Sequence, residues 1–237
     1  MLDVIAALTL SAVLVIFLIV LIGAASLRPA ARAYAYGIAA AWTAAMIGVA
    51  ASGGFAPGAI GPVPGPVLGF GALVIGGLAA WFWWPAFRDT LLGLPLSALI
   101  GINAFRIAGV FFLILYAQGR LSAPFAQSAG WGDIITGLVA IPLAAMTAAG
   151  RLPSRWVIAA WNAFGTLDLF TAILLGALSS PGTPIRFFTE GPGTSVMATL
   201  PWVIIPTVLV PLWLLVHLTV AWRLRSLTAE HPLALAT

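Results

Sequence analysis

Long apolar runs alternate along this chain with short segments in which Arg, Pro and Gly gather. A helix needs about 20 apolar residues to cross the hydrocarbon core of a bilayer. The runs predict seven such helices, at roughly 4–25, 34–53, 66–84, 92–118, 131–149, 156–178 and 199–222. Trp84-Pro85 closes the third, Arg88-Asp89 marks a surface turn, and Pro95 falls in the first turns of the fourth, where proline is tolerated. The expected fold class is all-α, a polytopic transmembrane helix bundle in which residues 1–237 form a single integral membrane domain. The first run has no basic residues before it and is longer than the roughly 7–15 residues of a signal-peptide core, so it reads as a retained helix.

Charge then orients the bundle. With seven spans, Arg28, Arg32, Arg88, Arg151, Arg155, Arg223 and Arg225 fall on one side, whereas Arg120 and Arg186 fall on the other. The positive-inside rule makes the Arg-rich side cytoplasmic, with the N-terminus outside and the C-terminus in the cytoplasm. The reading is a multi-pass protein of the bacterial cytoplasmic (inner) membrane. Trp81, Trp83, Trp84, Trp131, Trp156, Trp202 and Trp222 sit at expected span ends, where indole rings anchor at the interface. Gly65 and Gly69 form a G-x-x-x-G seam suited to close helix packing.

Composition removes whole classes of chemistry. The chain is 62% hydrophobic and 7% charged, with mean hydropathy +1.12, against about 45–50% apolar and roughly 25% charged in soluble domains. It contains no Cys and no Lys, which excludes disulfides, thiolate metal sites and Schiff-base lysines. Of its two histidines, His217 is intramembrane and His231 lies in the tail. One imidazole cannot build a metal site, so no metal is expected, and the residues name no cofactor. The net charge of +4 comes from scattered arginines rather than a basic patch, so nucleic acid is not an expected partner. The partners implied are the lipid bilayer, a small amphipathic ligand or lipid, and a membrane-protein partner.

Ionisable groups at bilayer depth cost about 2.5–3.5 kcal/mol on insertion scales, so each needs a partner or a task. Arg106 is central in the fourth span and Asp168 in the sixth, at matching depth, which predicts an ion pair. The helical period places Asn103 on the face of Arg106 and Thr171 on the face of Asp168, extending a polar core, while Asn162 points to another helix. This cluster reads either as interhelical glue or as a binding or relay site. Asp133 is expected at the outer start of the fifth span, as an N-terminal cap or as part of an outer vestibule with Tyr116 and Gln118. His217, in a last span interrupted by Pro206 and Pro211, reads as a hydrogen-bonded packing residue or a proton relay.

The elements Arg106-Ile-Ala-Gly-Val-Phe-Phe-Leu113, Gly130-Trp-Gly-Asp133, Trp161-Asn162-x-x-Gly165-x-x-Asp168 and the proline-spaced last helix ending His217-Leu218 resemble a group of uncharacterised bacterial multi-pass membrane proteins. The resemblance covers roughly residues 95–222 and implies a helix bundle, without an activity to carry over. From the residues, the expected function is binding or carrying a small amphipathic or anionic ligand in an intrabundle polar site, with Arg106 holding its head. The cavity is expected between the fourth, sixth and seventh spans, open beneath the Ser179–Leu200 loop and covered by Arg186-Phe187-Phe188. The alternatives are an accessory subunit of a larger membrane complex and an intramembrane enzyme acting on a lipid or isoprenoid. No D-D-x-x-D cluster, histidine box or Ser/His/Asp set supports catalysis.

Overall fold

A computed structural model describes residues 1–230, with side chains through Arg225; His231 lies outside the described residues. Among them all regular structure is helical. α1 (Leu2–Gly23), α2 (Pro29–Ala51) and α3 (Gly65–Trp83) are followed by a short α4 (Pro85–Leu92). α5 (Leu96–Ala117), α6 (Phe125–Ala148) and α7 (Arg155–Leu178) come next, and α8 (Val210–Glu230) is entered through a π-helical turn at Ile205–Leu209. Among the described residues, seven helices are long and apolar enough to cross a membrane.

The expected elements are present with shifted ends, and each shift has a local cause. α2 begins at Pro29, because proline at the first helical position fixes φ and lacks only an N–H that would go unpaired there anyway. The fifth apolar helix starts at Phe125 rather than near 131. Its first two turns bury Phe125, Ala126, Ala129 and Gly130, so Gly130 and Gly132 serve close packing instead of breaking the helix. The last helix starts later than expected, since residues 201–203 form turns.

α6 is the hub, packing along all three segments of α5 and against α7. α8 and its π turn close the bundle against α3 and α7. Gly69 of α3 lets the π turn approach, as a Cβ there would meet Thr207 Cγ2 at 2.9 Å. Trp42 of α2 donates its indole N–H to the Thr207 carbonyl at 3.0 Å, in the turn where proline disturbs the ladder. α2 is otherwise peripheral, with only Met46 buried.

Two side-chain clusters tie the ends. At one end, Asp3 Oδ1 accepts from Arg120 Nη2 and Trp202 Nε1, each at 2.8 Å. At the other, Arg223 Nη1 donates to the Leu94 carbonyl. Trp81 and Trp202 are fully buried, which corrects their assignment as interface anchors. Trp81 packs edge-on to Trp222, and Trp202 edge-on to Phe111. Trp83, Trp84, Trp131 and Trp156 are exposed.

Candidate functional site

The middle of α5 is not α-helical. Ile102–Gly109 winds as a 3-10 helix, a tighter coil that marks local strain or a hinge inside a longer helix. Arg106 projects from this segment into the bundle, with its side chain fully buried. Three other helices converge on its guanidinium.

Arg106 Nε donates to Asp133 Oδ1 of α6 at 2.7 Å, and Nη2 donates to Asp168 Oδ2 of α7 at 2.5 Å. Nη1 donates to the Gly165 carbonyl at 3.1 Å and lies 3.0 Å from His217 Nε2 of α8. A guanidinium has donors only, so His217 Nε2 is the acceptor in that contact. His217 Nδ1 lies 2.8 Å from Asn162 Oδ1, and the network assigns it as the N–H that donates there. The imidazole is then neutral. Asn162 Nδ2 in turn donates to the His217 carbonyl at 3.2 Å. Trp161 lies against the His217 ring, with centroids 5.4 Å apart, and donates its indole N–H to the Thr136 carbonyl at 3.0 Å.

Backbone closeness makes this convergence feasible. A Cβ at Gly109 would meet Asp133 Cβ at 2.5 Å, one at Gly132 would overlap the Asp168 carboxylate, and one at Gly165 would meet His217 Cε1 at 2.7 Å. Three glycines on three helices thus face three members of the charged cluster. Their signal in the sequence was a glycine within three residues of Arg106, Asp133 and Asp168.

The Arg106–Asp168 pair expected from matched depth is present. Other placements differ from expectation. Asp133 is not a helix cap; it lies about 12 Å along α6 from Phe125, at 1.5 Å per residue, and is buried against Arg106. Tyr116 and Gln118 are exposed at the end of α5, and their neighbour Arg120 pairs with Asp3 instead, so the three do not form a vestibule. Thr171 is exposed and stands apart from the cluster. Asn103 is buried, but it donates to the Leu99 carbonyl one turn back at 3.0 Å instead of joining Arg106. Its Oδ1 and the Thr136 hydroxyl are buried without a protein partner.

A cavity of about 70 Å³ adjoins the cluster. Its walls come from α3, α6, α7 and the π turn, with Phe112 of α5, and the loop residues Ser180, Thr194 and Ser195 line it at the end where α6 begins. Phe112, Leu169, Ile173, Met197 and Val210 make most of the lining apolar, and Asp133 is the one ionisable side chain among the lining residues. Arg106 does not line it. Thr194, Ser195, Met197 and Ala198 border the cavity, whereas Arg186 folds its own loop by donating to the Phe188, Thr189 and Gly191 carbonyls. The segment 186–188 therefore does not cover the mouth. Ser122 fastens the same loop, donating to the Glu190 carbonyl at 2.8 Å and accepting from Gly193 N at 2.9 Å.

A family model described as a domain of unknown function, DUF8737, matches residues 63–225, more than half of the chain, and the chain belongs to that family. The matched stretch runs from just before α3 to Arg225 and holds every member of the charged cluster; α1 and α2 precede it. No curated protein matches the chain, and no solved structure does.

Proposed function

We propose that this DUF8737 protein is a multi-pass protein of the bacterial cytoplasmic membrane that binds or carries a small amphipathic ligand within its helix bundle. The apolar body of the ligand lies against Phe112, Leu169, Ile173, Met197 and Val210, and its polar head reaches Asp133. The observation that carries this reading is the cavity itself, apolar along its walls and ending on a single buried carboxylate. Binding sites of that build take an apolar body by burial and orient it by one polar contact. Seven apolar helices and the unequal spread of arginines support membrane insertion with the N-terminus outside.

Arg106 is the weaker choice of anchor, because four of its five donors are already taken by two carboxylates, a carbonyl and an imidazole. The Arg106 cluster instead holds Asp133 in place at the cavity wall.

The test is equilibrium dialysis of n-octanol against the full chain in lipid nanodiscs, with empty discs subtracted. Ala172 lines the cavity, and Ala172→Trp fills it. The proposal expects saturable binding to the wild type and at least a tenfold loss in the variant; equal binding to both would remove the cavity as the site.

A second reading, a subunit packed against another membrane protein, is favoured by one feature. α2 buries only Met46 and is rich in Ala and Gly, the composition that lets helices approach closely in lipid. Crosslinking in native membranes from cysteines placed along α2 tests it, with a heterologous adduct expected.

A further inference from the structure

Within the cluster, two carboxylates face one guanidinium, and the imidazole beside it is neutral by its hydrogen bonds. The groups around Asp133 come from every helix packed on it: Arg106 from α5, Asp168 from α7 and His217 from α8. The other ionisable groups on these helices lie elsewhere. Tyr116 is two turns from Gly109 on α5 and exposed, Arg155 is at the far end of α7, and Arg223 reaches the Leu94 carbonyl. With both carboxylates ionised the cluster carries one negative charge that no other ionisable group among the described residues offsets on these helices. An unmatched charge in so apolar a setting is expensive. The neutral state holds one proton on the Asp133/Asp168 pair.

Of the two carboxylates only Asp133 also borders the cavity. A ligand head placed there meets a carboxylate, with the guanidinium shielded behind it. Anionic heads are repelled, neutral heads gain one hydrogen bond, and cationic heads supply the missing positive charge. We infer that the cavity selects amphipathic cations, with an ammonium head on Asp133, and that loading one releases one proton from the Asp133/Asp168 pair. The step balances: the carboxylic O–H bond breaks, the proton passes to solvent, and the carboxylate takes the ammonium as counter-ion while no bond to carbon changes. The inference rests on the cavity being a ligand site and adds the charge of the ligand and its exchange for a proton.

The experiment titrates the full chain in nanodiscs with three probes of one chain length: n-octylammonium, n-octanol and octanoate. Isothermal calorimetry is run in two buffers of different ionisation enthalpy, which counts protons released. The expected order is octylammonium tightest, octanol at least tenfold weaker and octanoate not detectable, with about one proton released per octylammonium bound and none per octanol. In Asp133→Asn the advantage of octylammonium over octanol disappears and proton release stops, whereas octanol still binds. Octanol or octanoate binding as tightly as octylammonium, or octylammonium binding without proton release, overturns the inference and leaves the cavity as a ligand site. Failure of all three to bind the wild type removes the ligand site and the inference with it. The wild-type probe series decides the matter even where Asp133→Asn proves unstable.

Discussion

Arg106 and Asp168 meet at 2.5 Å across 62 residues of sequence, and Asp133 takes a second face of the same guanidinium at 2.7 Å. One cation thereby joins α5, α6 and α7. The same cation reaches α8 through His217, so the core of the bundle is organised around a single side chain.

Removing that cation leaves two buried carboxylates unmatched, whereas removing Asp168 leaves Arg106 still paired with Asp133. Breaking a buried ion pair from one side costs about 3–5 kcal/mol. Arg106→Leu is therefore expected to lower the thermal midpoint in detergent most, and Asp168→Leu less. Replacing Arg106, Asp133 and Asp168 together by leucine should recover part of the Arg106→Leu loss. Strictly additive losses across the set would contradict the network.

Gly132 packs directly on the Asp168 carboxylate, so any side chain there must displace the ion pair. Overpacking of this kind costs about 1–3 kcal/mol. Gly132→Ala should lower the thermal midpoint clearly, while Gly76→Ala, with open space around its Cβ position, should leave it unchanged or raise it slightly. Equal effects of the two substitutions would show that the close approach does not exist.

His217 accepts from Arg106 through Nε2. Phenylalanine at that position keeps the ring but leaves a buried donor unpaired, at about 1–3 kcal/mol. His217→Phe is expected to destabilise more than His217→Gln, whose amide oxygen accepts. Chemical denaturation in detergent measures the difference, and the reverse order would argue against the assigned tautomer.

The proposed orientation is tested by cysteine labelling, for which a chain without cysteine is well suited. Gly58→Cys should react with an impermeant maleimide added outside intact cells, and Ser154→Cys only after lysis. Both positions are exposed. The opposite pattern would invert the topology.

The number and order of the helices were legible because each apolar run is long and is bounded by Arg, Pro or Gly. The Arg106–Asp168 pair was legible because both charges sit mid-run, where each needs a partner. Asp133 was misplaced for a definite reason: Gly130 and Gly132 look like helix breakers beside a charge at a helix start, yet they are sites of close helix contact inside a longer helix. Thr171 was placed by helical period alone, which gives direction within one helix but not which faces the neighbours cover. The 3-10 segment that carries Arg106 and the π turn before α8 depend on packing between distant helices. The two prolines of the last span hinted at the second and nothing local announced the first.

Photoaffinity labelling tests the central claim most directly. The full chain in nanodiscs is irradiated with an n-octylamine bearing a diazirine on its alkyl chain, and the modified residues are mapped by peptide mass spectrometry. A ligand in the cavity with its head on Asp133 predicts adducts on Ile173, Met197 and Val210, which line it, and their loss when unlabelled octylamine is added. Adducts confined to the exposed residues Val15, Phe170 and Leu174, and unaffected by competitor, would show the probe dissolved in lipid and contradict the account.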